Sequence, residues 1–468
     1  MLTLTLSFLA LTVLGVPVAL AMVVSSALYI YQTGIVPDIL LAQRMIASLE
    51  SFPLLAVPFF ILAGNLMNVA GVTGRIYSFA IALVGWMRGG LGQVNIMGSV
   101  VFSGMSGTAI ADAAGLGTIE IKAMKDHGYP TDFAVGVTAA SAALGPIFPP
   151  SLPFVIYGMM ANVSIGALFL AGIVPGIIMT VLMMVTVALI ARRNNWGGDV
   201  LFSWSRLGSA GLEILTVAAF PLAAWVLTLC GLSLNTSIML ALAALLVCDI
   251  VFKFSAVMAL LAPVILIGGM TMGLFTPTEA AVAAVTWSLF LGLVRYRTMT
   301  PAMVAKACFD AIETTASVLF IVAAASVFAW LLTVSQAAQI FSDIMLTYTQ
   351  NRWLFLLVAN VVILIVGCFI ETIAAITLLV PILLPVAIKL GIDPVQFGVI
   401  MTLNLMVGLL HPPLGMVLFV LARISKLTVE QTTMAILPWL LPLGIALLAV
   451  TYIPELTLWL PHLLELVH

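Results

Sequence analysis

The sequence predicts an all-α polytopic membrane protein, folded as an inverted repeat with two re-entrant hairpins and two broken helices. Three observations lead there. Of 468 residues, 63% are hydrophobic, and 16 Lys+Arg with 18 Asp+Glu leave only 7% charged, against about 25% in an ordinary soluble domain. Two long apolar blocks, 91–122 and 353–389, are broken near their middles by Ser, Gly, Thr or Glu. Two other apolar segments each carry a glycine followed by a proline pair, GPIFPP at 145–150 and GLLHPP at 408–413.

Each observation excludes something. So few charges cannot cover a soluble body of this length, which leaves the lipid bilayer as solvent. A net charge of −2 with no basic stripe excludes a nucleic-acid partner, because nothing would release phosphate counterions. Cys230, Cys248, Cys308 and Cys368 sit apart in apolar runs without CxxC spacing, as small core hydrophobes do. The opening MLTLTLSFLA has no basic n-region and leads into a first span, not a cleaved signal.

A span needs about 20 apolar residues. Runs of that size lie at 4–31, 51–70, 131–160, 165–191, 208–231, 235–254, 256–274, 277–296, 314–334, 394–422 and 431–454. Each half of the blocks 91–122 and 353–389 is only ~14–18 residues, or about 20–27 Å as helix. Such halves span poorly, so both blocks are expected as re-entrant hairpins. The segments 72–89 and 336–350 are expected as surface helices, one before each hairpin. With the N-terminus inside, Arg75, Arg88, Lys122, Lys125, Arg192, Arg193, Arg206, Lys253, Arg295, Arg297, Lys306, Arg423 and Lys426 all face the cytoplasm. Only Arg44, Arg352 and Lys389 fall outside, a positive-inside bias. If 72–89 crosses instead, the N-terminus changes side.

A shift of 264 residues superimposes the two halves. The tip SGMSGTAIAD, with Gly104, Ser106, Gly107 and Thr108, faces GCFIETIAAI from Gly367, and GPIFPP faces GLLHPP. The spacing from Ser103 to Gly145 is 42 and from Gly367 to Gly408 it is 41. The hairpins enter from opposite sides, so the copies are inverted, the build of secondary transporters. Residues 1–200 form the first copy, with its hairpin 91–122 and broken helix 131–160. Residues 201–275 connect the copies, and 276–455 form the second, with its hairpin 353–389 and broken helix 394–422. Residues 456–468, with Trp459 and His462 among leucines, read as an interfacial helix on the outer face.

Chemistry concentrates at the interruptions. A proline pair beside a glycine unwinds a helix locally, since proline lacks an N–H and clashes with the carbonyl four residues back. In a membrane, such backbone persists only inside protein or beside a cavity. The freed carbonyls, with a hydroxyl added, suit a small monovalent cation. The plainer reading is a proline kink satisfied by Ser, Thr and water. The first tip, Ser103 to Thr108, packs hydroxyls and pliable backbone at mid-depth. The helix after it turns its N–H groups and positive dipole end toward the cavity, which suits a carboxylate. Small residues at helix contacts explain Gly104 and Gly107 equally well, but not Asp112 one turn beyond the tip. Asp112, Glu279 and Glu371 are the intramembrane acids, a class usually functional. Glu279, after Thr276-Pro277-Thr278, also reads as a helix cap. Glu213 and Asp249 lie near span ends, within reach of water. Ser106, Gly107, Thr108 and Asp112 at the first tip, with Glu371 and Thr372 at the second, are the substrate-facing candidates.

At SGMSGTAIADAAGLGTIEIKAM, GPIFPPSLPFVIYG, GLFTPTEAAVAA and HPPLGMVLF the sequence resembles the large membrane subunit of TRAP transporters, the tripartite ATP-independent periplasmic transporters, from about residue 5 to 455. The resemblance implies sodium-driven uptake of a small organic acid across the bacterial cytoplasmic membrane by an elevator-type fold. A four-helix small membrane subunit and a periplasmic substrate-binding protein complete such a system. One sodium site, between the first hairpin and first break, carries onto Ser103 or Ser106, Gly145, Phe148 and Pro150. The other carries onto Gly367, Gly408, His411 and Leu414. Most of these act through backbone carbonyls, and no cofactor besides the ion is implied. The segment 208–254 departs from the pattern, as room for two extra spans.

Two other readings of the residues stand beside this one. Gly104-Met105-Ser106-Gly107 matches the GxSG nucleophile motif of an intramembrane serine protease, with His411 as base. A transporter of the same hairpin build working without a binding protein is the other.

Overall fold

The structure is a computed structural model that describes residues 2–34, 37, 39–229, 233–252, 254, 256–271, 274–336, 350–411 and 415–464. Its described regular structure is helical throughout, and among the described residues eight helices are long and apolar enough to cross a bilayer. Contrary to expectation, two of the eight are the arms of the block 353–389, whose helices reach 18 residues each, while the runs 235–254 and 256–274 yield only shorter apolar helices. Two of the expected spans prove to be broken helices at the proline pairs, as predicted. The first breaks between α9 (Thr131–Ala142) and α10 (Leu152–Ala161). The second breaks between α19 (Pro394–Leu409) and α20 (Met416–Ser425).

The first hairpin rises as α6 (Gly90–Ser106) and returns as α7 (Ala109–Ala114) and α8 (Leu116–Asp126). The second rises as α17 (Arg352–Phe369) and returns as α18 (Thr372–Lys389). Asp199 anchors the base of the first, its Oδ2 accepting from the Leu91 amide and the Tyr129 hydroxyl, each at 2.7 Å. Asp199 lies in the loop after the basic end of α11 (Ile165–Arg193). The base of the second hairpin packs Trp353 against Tyr452, ring centroids 5.7 Å apart. Tyr452 ends α21 (Val429–Tyr452), which leaves the basic turn at Lys426 and runs to the opposite side. The hairpins therefore enter from opposite faces.

Packing follows the same inverted relation. Each rising arm lies on its own broken helix, α6 on α9 and α17 on α19. The returning arms and distal half-helices then cross over: α10 packs on α18, and α20 on α7. The long helices exchange as well, α21 against α9 and α11 against α19. Most of the buried apolar side chains of these elements join one continuous core.

A second group of helices packs against this core and shares part of it. The helices α4 (Ala56–Val69) and α15 (Pro277–Leu289) pack together, with the Ser288 and Thr278 hydroxyls donating to the carbonyls of Ala63 (3.5 Å) and Phe52 (3.1 Å). Next to them, α12 (Trp204–Leu229) and α13 (Leu234–Phe252) form a helical pair, and α12 packs on α14 (Val257–Thr271). Two acids expected near water are buried in this pair's footing. Glu213 accepts from the Ala256 amide at 3.0 Å, and Asp249 pairs with Arg295 at 2.6 Å. Asp249 lies near the end of α13 as expected, whereas Glu213 is the tenth residue of α12, because that helix starts earlier than the apolar run; the chain folds over both, leaving Glu213 5% and Asp249 1% exposed. Asp249→Ala is expected to destabilise by about 1.5–3 kcal/mol, the range for a hydrogen bond to a charged group. A thermal melt in detergent checks this, since an unchanged midpoint would show the ion pair to be idle.

The expectations about the surface and the first span have separate outcomes. The surface helix over 72–89 is present as α5 (Val72–Val84). Arg75 stacks over Tyr296 at 3.7 Å, and Trp86 meets Phe202 with centroids 5.0 Å apart. Both partners sit in the basic loops, so α5 runs along that face. Most of the segment 336–350 lies outside the described residues. The run 4–31, by contrast, is not one span. It divides into α1 (Leu2–Val13) and α2 (Val18–Thr33), which pack side by side. Gly15 takes a left-handed φ of +81° and Pro17 lacks an N–H, which ends the helix despite unbroken hydropathy. Phe8 of α1 then meets Phe328, 5.1 Å between centroids, near the end of α16 (Pro301–Val334). The C-terminal helix α22 (Glu455–Leu463) is present as expected, and it packs on α11.

Candidate transport site between the hairpin tips

Helix α6 ends at Ser106, and Gly107 turns the chain with φ +61°. Thr108 then caps α7, its hydroxyl accepting from the Ala111 amide at 3.2 Å. This tip seats directly on the first break. The Gly107 carbonyl accepts from the Leu152 amide at 3.4 Å, and a Cβ at Gly107 would stand 2.6 Å from the Pro150 carbonyl oxygen. A Cβ at Gly145 would stand 3.1 Å from the Thr108 carbonyl oxygen. Gly145 and Pro150 therefore both lie against the tip, and their neighbouring polar groups are main-chain carbonyls. The break is kept open by Ser151, whose hydroxyl donates to the Pro146 carbonyl and accepts from the Phe154 amide.

Other first-site candidates are placed less directly. Ser103 is fully buried and donates to the Ser99 carbonyl one turn back. Ser106 is the last residue of α6, its side chain outside the described part. The Phe148 ring turns away from the tip, onto Gly176 of α11, so only its backbone belongs to the break.

The second tip repeats the arrangement with different chemistry. A Cβ on Gly408 would stand 2.8 Å from the Gly367 carbonyl carbon and 3.1 Å from its oxygen. Gly367 and Gly408 thus bring hairpin and break into backbone contact. The His411 amide donates to the Gly408 carbonyl at 3.0 Å. Leu414 lies outside the described residues, with Pro412 and Pro413. Glu371 caps α18, accepting from the Ile373 and Ala374 amides at 3.0 and 3.3 Å. Thr372 is buried, and its hydroxyl has no partner among the described residues.

The two tips meet across a small cavity of about 40 Å³ lined by Thr108, Pro146, Leu152, Glu371, Thr372 and Leu409. Three helices begin at its wall: α7 at Thr108, α10 just after Ser151, and α18 at Glu371. Helix N-termini present unpaired N–H groups and positive dipole ends, so the wall favours an anion. One of the three is already met by the Glu371 carboxylate. Thr108, Glu371 and Thr372 share the cavity, with Gly107 behind it at the break. Asp112 does not line it. Its carboxyl bonds to Ser99 inside the first hairpin and faces the carboxyl of Glu120. Sequence reading did not single out Glu120. It is 1% exposed, and neither carboxyl oxygen has a partner among the described residues. Glu279 is exposed and forms a capping box with Thr276, the cap reading of the two left open.

Comparison with known proteins decides what this arrangement belongs to. The family described as "Tripartite ATP-independent periplasmic transporter, DctM component" matches residues 5–456. The chain belongs to this family. Among its relatives, the sialic acid TRAP transporter large permease protein SiaM of Vibrio cholerae is 42% identical over 451 residues, 96% of this chain and 95% of that protein. The 2,3-diketo-L-gulonate large permease YiaN of Escherichia coli is 34% identical, covering 95% of this chain and 94% of that one. The C4-dicarboxylate large permease DctM of Rhodobacter capsulatus is 32% identical, with 97% of each covered. The crystal structure of the Alcanivorax borkumensis YdaH transporter shares the fold at TM-score 0.54 and 16% identity, over 90% of this chain and 88% of that one.

The permease is accordingly a multi-pass protein of the bacterial cytoplasmic membrane, one component of a tripartite system that takes up organic acids with a small membrane subunit and a periplasmic binding protein. It is a transporter, not an enzyme, since its relatives are permeases. The GxSG tetrapeptide at Gly104–Gly107 is a helix end and a left-handed turn, which accounts for its small residues without a nucleophile.

Proposed function

We propose that the permease couples inward movement of sodium ions to uptake of a small organic acid handed over by its binding protein, by an elevator mechanism. The observation that carries this reading is the twofold backbone contact of hairpin tip and helix break, Gly107 with Pro150 and Gly367 with Gly408. A backbone stripped of helical hydrogen bonds offers hard carbonyl oxygens, the ligands a small monovalent cation prefers. The first ion is assigned to Ser103, Ser106, Gly145, Phe148 and Pro150. The second is assigned to Gly367, Gly408, His411 and Leu414. The carboxylate of the acid is assigned to the helix starts at the cavity, with Ser106, Gly107, Thr108, Glu371 and Thr372 near it and Asp112 behind. The named substrates of the relatives above, sialic acid, 2,3-diketo-L-gulonate and C4-dicarboxylates, share a carboxylate.

The elevator reading is supported by the seam between the two helix groups. Gly104 of α6 lies against Pro263 of α14. An apolar cavity of about 380 Å³ flanks that contact, with Phe148 and Pro149 on one side and Val217 and Leu260 on the other. Apolar contacts are non-directional and exchange partners at little cost, as a sliding surface requires. Hairpins, broken helices, α11 and α21 would move together past the frame of α4, α15 and α12–α14.

Reconstitution with the small subunit and binding protein tests the coupling. Uptake of the bound acid is expected to rise at least about tenfold, ~1.4 kcal/mol, when an inward sodium gradient is imposed on potassium-loaded vesicles. Equal uptake with and without the gradient would remove the coupling claim.

A further inference from the structure

We propose that Asn95 and Asn360 are positioning residues, each clamping a hairpin's rising arm to its broken helix so that the two halves of an ion site stay in register. This rests on the sodium-coupled reading above and adds residues that touch neither ion nor substrate.

The two clamps join the same pair of elements through different bonds. In the first copy, the Asn95 amide of α6 donates to the Thr138 hydroxyl at 2.7 Å, and its carbonyl accepts from the Ser141 hydroxyl at 2.7 Å. Thr138 and Ser141 both belong to α9. In the second, the Asn404 amide of α19 donates to the Asn360 side chain at 2.7 Å and to the Asn360 backbone carbonyl at 2.9 Å. The Asn360 amide goes on to the Thr451 hydroxyl at 3.1 Å. Asn95, Ser141 and Asn404 are fully buried, and Asn360 is 8% exposed.

Their placement repeats across the two copies. Ser141 lies four residues before Gly145, and Asn404 four before Gly408, about one helical turn in each case. Asn95 lies eight residues before Ser103, and Asn360 seven before Gly367, about two turns down the arm. Apolar packing alone would hold arm and helix together but leave their rotation and rise loosely set, because dispersion contacts have no direction. Two directional bonds between arm and helix, from both ends of the Asn95 amide in the first copy and from the Asn404 NH2 to two oxygens of Asn360 in the second, fix rotation and rise together. The carbonyls at the end of one element then stay at a set distance from those of the other. The relation explains why buried amides stand here, where lipid-exposed or core positions favour apolar side chains.

The test uses the whole permease, reconstituted with its two partners. Asn95→Ala and Asn360→Ala are expected to raise the sodium concentration for half-maximal uptake about tenfold, two lost hydrogen bonds at ~1 kcal/mol or less each. The maximal rate per correctly inserted protein, at saturating sodium, is expected to stay near the wild-type value. A merely structural role would lower that rate or the melting temperature and leave the half-maximal concentration in place. Ser141→Ala removes one bond and is the milder variant should Asn95→Ala fail to insert. Its shift is expected to be smaller, and Asn95→Ala/Ser141→Ala no worse than Asn95→Ala alone. Sodium-dependent wild-type uptake with unshifted variants would overturn the clamp and spare the coupling. Sodium-independent wild-type uptake would overturn the coupling itself.

Discussion

Gly408→Ala is expected to abolish uptake while leaving the permease in the membrane. The added methyl would stand within 2.8–3.1 Å of the carbonyl carbon, Cα and oxygen of Gly367. All three are main-chain atoms, so no rotamer change relieves the contact, and α19 must back away from α17. Overpacking of this kind costs about 1–3 kcal/mol, which a core of this size absorbs. The second ion site has no such reserve, since its two halves are the surfaces being pushed apart. Transport is expected to fall at least tenfold, ~1.4 kcal/mol or more. Gly444→Ala, on α21 with nothing within 4 Å, is the matched control and should transport normally. A Gly408→Ala permease with full uptake would show that the close approach of tip and break is incidental.

Gly107→Ala should be nearly as damaging, for two reasons that separate experimentally. Its φ of +61° costs a side-chain-bearing residue roughly 1–2 kcal/mol. The new Cβ would also stand 2.6 Å from the Pro150 carbonyl oxygen, at the proposed first ion site. Gly15 has φ +81° and open space around it, so Gly15→Ala incurs the conformational cost alone and should transport close to normally. Asparagine tolerates left-handed backbone better than alanine, yet Gly107→Asn brings the same Cβ and should fail too. Recovery of uptake in Gly107→Asn would assign the whole effect to backbone conformation and none to the seat on Pro150.

Much of this architecture was legible because proline and glycine report backbone geometry directly. The pairs Pro149-Pro150 and Pro412-Pro413 located both breaks. The spacing to Ser103 and Gly367 showed that tip and break repeat together, and the glycine contacts add that each tip touches its break. Hydropathy was less reliable where composition does not change: the turn at Gly15 to Pro17 lies in unbroken apolar sequence, and α1 was read as part of a longer span. Side-chain direction was not legible at all. Nothing in the string distinguishes Asp112, turned toward Ser99, from Glu371, turned to its own helix start. Glu120 precedes Lys122 and Lys125, which in the sequence suggests a solvated helix end. Asn95 and Asn360 do carry a sequence signal, as polar residues in apolar runs separated by nearly the repeat shift. The residues lining the cavity between tips became visible only with the crossover of the two copies.

That crossover limits how the permease can be recombined with its relatives. The returning arm of each hairpin is seated on the distal half-helix of the other copy, α7 on α20 and α18 on α10. Grafting one hairpin from a paralogue would therefore set foreign side chains against a native surface more than 200 residues away along the chain. A chimera that exchanges residues 90–126 alone breaks the fit to 416–425, and one that exchanges 352–389 alone breaks the fit to 152–161. The smallest unit that keeps every hairpin with its seat takes both hairpins and both broken helices together. Swaps meant to transfer substrate preference should be cut at the frame, not between the copies.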